Sequence, residues 1–213
     1  MAWGQDQPDQ QEEGPGRGVA RVSVMDGDVS VQRGDSGETV AAALNAPLVV
    51  EDQLMTGPNS RAEIQFDWAN MVRLASLSEV RLAELENQRY QIQVARGTAS
   101  DPEFQVVRAV AQDDWDRWNE NRDRQLDESA SYDHVSPDIY GAEDLDNYGS
   151  WQTDPSYGDV WCPRVAEDWV PYRDGRWSWM DWYGWNWVSC DPWGWAPYHY
   201  GRWFNTPGRG WGW

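Results

Sequence analysis

A repeat written in tryptophan limits what this chain can fold into more than any other feature. Trp169-Val170-Pro171-Tyr172-Arg173-Asp174-Gly175-Arg176-Trp177 returns 26 residues later as Trp195-Ala196-Pro197-Tyr198-His199-Tyr200-Gly201-Arg202-Trp203. The pattern W-x-P-Y-x-x-G-R-W therefore occurs twice, and a fixed period marks a repeated supersecondary unit. Shorter echoes surround it: Trp161-Cys162-Pro163, and Asp181-Trp182-Tyr183-Gly184-Trp185 beside Asp191-Pro192-Trp193-Gly194-Trp195. Residues 151–213 hold 13 of the 17 Trp, interspersed with eight Gly and five Tyr. Proline fixes its own φ and biases the preceding residue toward extended backbone, so Trp-x-Pro-Tyr reads as extended. Gly175 and Gly201 then supply a turn, and Gly-Arg-Trp opens the next strand.

The two copies are expected to share one conformation within a string of short β-hairpins. Trp177 and Trp179, then Trp185 and Trp187, alternate on the period of a strand. Aliphatic residues are scarce here, so stacked indoles must form the interior. Trp169, Trp177, Trp195 and Trp203 are accordingly expected to be structural before they are functional. Arg176 and Arg202 lie between aromatics, where a guanidinium can stack on an indole face. With Tyr172 and Tyr198, these residues make up the candidate binding surface.

Upstream, the pattern is that of strands. Ala20, Val22 and Val24 alternate with polar residues, Asp26-Gly27 is a hairpin-turn signal, and Val29 and Val31 alternate again. Val40–Leu44, Leu48–Val50, Ile64/Phe66/Trp68, Val72/Leu74, Val80/Leu82 and Tyr90/Ile92/Val94 follow, separated by turn residues. Many short strands with regular turns and no helical period indicate an all-β sandwich, barrel or solenoid. The expected organisation has a disordered segment over 1–18 and a β domain over 19–100. An amphipathic helix over 101–130, an acidic linker over 131–160 and the Trp-rich region over 161–213 complete it. The helix rests on the stripe Val107, Ala111, Trp115, Trp118 and Leu126, which predicts docking on a neighbouring domain, with partner binding as the other reading.

Several of these residues carry a resemblance. Val22–Val31, Asp52–Ile64 with its Thr56-Gly57-x-x-Ser60-Arg61-Ala62 step, Val72-Arg73-Leu74 and Ser78-Glu79-Val80-Arg81-Leu82 are similar to the FecR-like domain. The W-x-P-Y-x-x-G-R-W units resemble the WxxGRW-repeat region that follows such a domain in a group of exported bacterial proteins. The resemblance covers about 19–97 and 132–213. It implies a β-solenoid-like first domain, a periplasmic or extracellular location, and no catalytic residues. The β region passes at Arg96-Gly97 directly to Thr98–Glu103, where such a solenoid would continue with further rungs.

Charge narrows the function classes. The net charge of −19 argues against nucleic acid or an anionic membrane surface as a partner; all 17 basic residues are Arg, which composition alone does not explain. Residues 101–168 carry 18 Asp/Glu against 5 Arg, whereas 169–213 carry 3 against 4. No apolar run is long enough to span a membrane. Met1-Ala2-Trp3-Gly4 leads straight into a polar segment, as expected of a cytoplasmic chain or of a mature form whose export signal has been removed. The pattern breaks off at Trp211-Gly212-Trp213, as in a truncated C-terminus.

Catalytic and metal motifs are missing or broken. Asp144-Leu145-Asp146-Asn147-Tyr148-Gly149 opens like a calcium loop, but Tyr148 and Pro155 occupy ligand positions. Glu143, Asp144 and Asp146 are therefore expected to form a solvated acidic turn, with no metal and no cofactor. Glu84/Glu86 is a carboxylate pair of the kind glycosidases use, expected to face solvent. His134 has no motif around it, and His199 reads as a variable surface position. Whether Cys162 and Cys190 are bonded stays open. The sequence points to a non-catalytic envelope scaffold or binding module whose Trp repeats dock an envelope protein or polymer. The alternatives are a module binding neutral polysaccharide or peptidoglycan through Trp/Tyr platforms, and a subunit that associates with copies of itself.

Overall fold

The computed structural model describes residues 18–86, 89–96, 112–180 and 184–213. The expectations for 1–17, for Val107 and Ala111, and for Trp182 and Tyr183 fall outside them. The chain is mainly β. Strands β1 (Ala20–Asp26), β4 (Pro47–Leu48), β6 (Arg61–Gln65) and β7 (Met71–Leu74) form one sheet in the order β4-β1-β6-β7. Strands β2 (Val29–Gln32), β3 (Thr39–Ala41), β5 (Gln53–Thr56), β8 (Glu79–Glu86) and β9 (Arg89–Arg96) form the other, in the order β3-β2-β5-β8-β9. Every pairing in both is antiparallel. Alternate residues of both sheets enter one core, with Val22, Leu48, Ile64 and Leu74 meeting Val31, Leu54, Leu82 and Leu85.

Two local readings change. Asp26-Gly27 does form a turn, with Gly27 at φ +80°, but not a hairpin. Both edges of β1 are already taken by β4 and β6, so the turn carries the chain across to the other sheet. Ser60 secures it: its hydroxyl accepts from the Asp28 amide at 2.8 Å and donates to the Pro58 carbonyl at 3.1 Å. Trp68, read as the third member of a strand alternation, lies beyond the end of β6 in a turn, and its side chain is exposed.

Helix α1 (Asp114–Asp127) starts at a capping box. The Asp113 carboxylate accepts from the amides of Trp115 and Asp116, at 2.8 and 2.9 Å, and the Asp116 carboxylate accepts from the Asp113 amide at 3.1 Å. Asp113→Ala should cost about 1 kcal/mol and lower Tm by about 2–4 °C for a chain of this size, as read by a thermal melt. No change in Tm would mean that the cap is not holding the helix. The helix docks on the first sheet: Trp118 lies under Arg61 and Arg73, 5.5 and 5.7 Å from their guanidinium carbons. Arg73 also binds Asp123 at 2.7 Å and Asn119 Oδ1 at 3.1 Å.

In the acidic segment after the helix, Asp146 is exposed, but Glu143 and Asp144 do not form a solvated turn. Two 3-10 turns, Ala130–Asp133 and Ala142–Asn147, bring Glu143 and Asp144 onto the outer face of β1. Arg21, 0 % exposed, binds Glu143 at 3.0 Å, Asp144 at 2.7 Å, Gln65 at 2.6 Å and Asn45 at 2.8 Å. Arg122 of α1 bridges Glu63 at 3.0 Å and Glu143 at 3.4 Å. Tyr132 donates to Glu143 at 2.7 Å. One buried ion network thus ties β1, β6, α1 and the C-terminal region together.

The C-terminal region holds three hairpins: β10 (Gly149–Asp154) with β11 (Gly158–Pro163), β12 (Gly175–Met180) with β13 (Gly184–Ser189), and β14 (Phe204–Thr206) with β15 (Gly210–Gly212). Between the second and third lies the short helix α2 (Trp195–His199). The 26-residue period is real, but its frame is not W-x-P-Y. Tyr172 has φ +62° in a turn, while Tyr198 is helical. The two copies therefore differ in backbone. Val170 is β-branched, whereas Ala196 is the best helix former, and Pro197 falls in the first helical turn, where its missing N–H leaves no intrahelical bond unmade.

What repeats is the hairpin itself. Gly158, Gly184 and Gly210 turn the chain at φ +79°, +78° and +84°. Gly149, Gly175 and Gly201 keep the same spacing, and a Cβ on each would come within 2.4, 2.5 and 2.7 Å of the indole twelve residues on, that of Trp161, Trp187 and Trp213 respectively. The unit is thus Gly-x-Trp, a glycine turn, and a second Trp packed on the first glycine.

Candidate functional site

The hairpins share one aromatic core. Trp161, Trp169 and Trp193 are buried with Leu145 and Ala142, and Trp203, Tyr198, Tyr200, Trp211 and Trp213 pack around them. Ring centroids lie 4.9 Å apart for Trp161/Trp193 and 5.4 Å for Trp169/Trp203. Tyr198 extends the cluster outward, 4.8 Å from Tyr172 and 6.1 Å from Trp187. Tyr172 in turn lies 6.0 Å from Trp177, with the two rings within 4° of parallel. A continuous path of rings thus runs from the core to the surface of the second hairpin.

There it emerges as an exposed face. Trp177, Trp179 and Trp185 are 54, 57 and 63 % exposed, and Tyr172 is exposed beside them. Trp177 faces Trp187 across the strands at 5.3 Å and 65°, and Trp179 faces Trp185 at 5.5 Å and 75°. Such edge-to-face pairs stabilise a hairpin ladder.

The register of the repeat makes the outer pair informative. At the same position the first hairpin pairs Thr153 with Asp159 and the third pairs Asn205 with Trp211. Thr153 donates to Asp159 at 3.3 Å, an ordinary solvent-facing pair. The first hairpin therefore closes without indoles at this position, the third uses one, Trp211, packed against the aromatic cluster, and the second carries two in contact with water.

The sequence-derived site separates into two groups. Trp169 and Trp195 are buried, and Trp203 and Tyr198 are half-buried. Trp195 stacks on His199 at 4.1 Å and meets Tyr140 at 5.7 Å. Tyr172, Arg176, Trp177 and Arg202 are exposed. Trp177 is thus a surface residue, not a core one: Trp187 takes the position against Gly175, and Trp177 lies over it. Guanidinium–indole contacts among the described residues pair Arg21 with Trp195, and Arg61 and Arg73 with Trp118; Arg176 and Arg202 make none of them. The sequence reading omitted the exposed Trp179 and Trp185 from the site, although the second hairpin's four alternating indoles were the available signal.

Electrostatics around the face are mild. Burial lifts the Tyr172 phenol above its ordinary pKa. Behind it, burial raises the Asp191 carboxyl while hydrogen bonds from Tyr198 and Ser189 pull the other way. His199 is half-buried and not a variable surface position: burial lowers its pKa, and its Nδ1–H donates to the Trp195 carbonyl at 2.8 Å. His134 stacks on Trp151 at 4.6 Å and lies 3.0 Å from Asp159. Cys162 and Cys190 are free. Glu84 is paired with Arg89 across the β8–β9 hairpin. Among the described residues no three His, Cys, Asp or Glu side chains are grouped to hold a metal, and no helix is long and apolar enough to cross a membrane.

A model of a family of unknown function (DUF6600) matches residues 142–213. The match begins at the first residue of the Ala142–Asn147 turn and takes in all three hairpins. No curated protein and no solved structure matches the chain.

Proposed function

We propose that the chain is a non-catalytic binding module of the cell envelope, working in the periplasm or outside the cell. Its docking surface is the outer face of the β12–β13 hairpin. The observation that carries this reading is the Trp179/Trp185 pair, exposed where the first hairpin has Thr153 and Asp159. Contiguous exposed aromatic surface of this kind marks recognition sites. The region from Trp169 onward carries 3 acidic and 4 basic residues, so it can approach a neutral polymer or a protein without repulsion. The envelope location and a FecR-like identity for residues 19–100 rest on the sequence resemblance.

The occupant favoured is a protein. Edge-to-face pairs at 65° and 75° present a ribbed surface that fits side chains better than the flat face of a sugar. A glycan reading draws on Tyr172 and Trp177, whose rings are parallel within 4°. Self-association through the same face is the third alternative.

The test gives the second hairpin the first hairpin's residues, Trp179→Thr with Trp185→Asp. Stability should fall by no more than about 1.5 kcal/mol, the size of one aromatic pair, while capture of an envelope protein by cross-linking is lost. Affinity electrophoresis in peptidoglycan and neutral polysaccharide runs in parallel. Retardation that the double variant abolishes would move the occupant to glycan. Unchanged capture and mobility in the variant would remove the face from function altogether.

A further inference from the structure

Away from the residues of the aromatic face, the first sheet and α1 line a groove. The Asp67-Trp68-Ala69-Asn70 turn joining β6 to β7 is unusually well tied. The Asp67 carboxylate accepts from the Ala69 amide at 2.8 Å, the Asn70 amide at 2.7 Å, the Asn70 side chain at 2.9 and 3.0 Å, and the Tyr90 hydroxyl at 2.8 Å. Those bonds hold the carboxyl below its ordinary pKa against the effect of burial. They hold the turn rigid, and on it stands Trp68, 56 % exposed. An indole presented on a pre-organised turn loses little freedom when it binds.

Trp68 overlooks an open groove of about 790 Å³, within the range of ligand sites. Trp68 and Met71 from the first sheet, Leu126 and Asp127 of α1, and Pro137 are among the residues that line it. The charges in it are unevenly satisfied. Arg73 is committed to Glu63 and Asp123, at 2.8 and 2.7 Å, and Tyr132 to Glu143. Asp127 has no ion-pair partner among the described residues. It is also the last residue of α1, followed by Glu128 at the C-cap. Carboxylates at that end oppose the helix dipole, which favours cations there. Arg124, the only basic residue in the last turn, is bonded to Asn121 instead.

The geometry points to a cationic side chain as the occupant: an arginine or lysine on an extended segment of a partner protein. Its alkyl stem would lie on Met71 and Leu126, its charge over the Trp68 ring and against Asp127. An indole face and a carboxylate together recognise a cation. The net charge of −19 on the whole chain draws such a partner in from a distance.

The probe is acetyl-Leu-Arg-Leu-amide, titrated into the full chain and followed by NMR at the Trp68 indole N–H and the Asp127 amide. Its control is the same peptide with uncharged, near-isosteric citrulline for arginine. The arginine peptide should shift both signals and bind at least about ten-fold more tightly than the citrulline peptide, with affinity falling as salt rises. Trp68→Ala and Asp127→Asn should each remove most of that ten-fold preference. Asp35→Asn, on the exposed β2–β3 turn, should leave it intact. Both groove substitutions are at exposed positions, and circular dichroism verifies that the variants remain folded. Equal affinity for the two peptides, no shift at Trp68, or an unchanged preference in Trp68→Ala and Asp127→Asn would each overturn the proposal. An equal loss in Asp35→Asn would show attraction to the acidic surface as a whole, and would overturn it too.

Discussion

Trp161→Ala is expected to destabilise the C-terminal region by about 3–5 kcal/mol, the range for removing a fully buried Trp. The ring is 0 % exposed. It packs against Trp193 at 4.9 Å and Trp203 at 6.4 Å, and its indole N–H donates to the Leu145 carbonyl at 3.2 Å. Removing it opens a cavity beneath two other indoles and takes one of two donors from the Leu145 carbonyl, which keeps the Tyr148 amide at 3.1 Å, so the cavity sets the cost. Its backbone also pairs with Trp213 in both directions, at 2.8 and 2.9 Å, so the first and third hairpins loosen together. Trp161→Phe keeps most of the ring and should lose clearly less. Trp185→Ala, from the exposed face, should lose no more than about 1.5 kcal/mol, the size of its pair with Trp179. Urea unfolding followed in the near-ultraviolet aromatic dichroism separates the three. Should Trp161→Ala and Trp185→Ala prove equally mild, the indole cluster is not a core, and the division between structural and presented tryptophans fails with it.

That division was only half legible in the residues. The period of 26 was plain, yet it attached itself to the conspicuous Pro-Tyr copies, which differ in conformation. The glycines at 149, 175 and 201, those at 158, 184 and 210, and the Trp at 161, 187 and 213 keep the same spacing. They do so for a stronger reason: a ring lies where a Cβ would be, and a left-handed turn has to close. Composition said that indoles must form the interior. It could not say which, because Trp177 and Trp187 are equivalent on the strand pattern, and only the fold places Trp187 against Gly175 and beside Tyr198 with Trp177 lying over it.

The strands between Ala20 and Arg96 were read well because alternation is a direct image of a pleated sheet. Alternation tells two faces apart without saying which one meets water. Arg21 and Ser23 on β1, and Glu63 and Gln65 on β6, sit on the polar side of that pattern and were passed over. All four are buried, since the helix and the C-terminal region cover that side. A long-range ion network of this kind has no local spacing for a sequence to show.

Breaking that network gives the other large effect. Glu143→Ala is expected to cost about 3–5 kcal/mol, the penalty for removing one partner of a buried ion pair. Arg21 would be left facing Asp144 alone, Arg122 would keep only Glu63, and the Tyr132 hydroxyl would lose its acceptor. Arg21→Met combined with Glu143→Leu should recover part of the loss, because the uncompensated charge goes with its partner. The network also sets opposite pH dependences on two neighbouring carboxyls. Burial works against the Glu143 charge, but Arg21 and Arg122 prevail and hold its pKa below the ordinary value. Its contribution is therefore present above the unfolded-state pKa and is lost as pH falls through the lower folded one. Burial pushes Asp144 up to about 6, with Arg21 pulling the other way. The folded chain then holds the Asp144 proton more tightly than the unfolded chain, so stability from this group falls as pH rises from about 4 to about 6. Asp144→Asn removes that slope. The difference in unfolding free energy between Asp144→Asn and the parent chain should shift in the variant's favour across that window and be flat above it. Measuring the pair at matched pH cancels the titration of the other carboxylates, which they share. A constant difference from pH 4 to pH 7 would mean that Asp144 is ionised in the fold throughout.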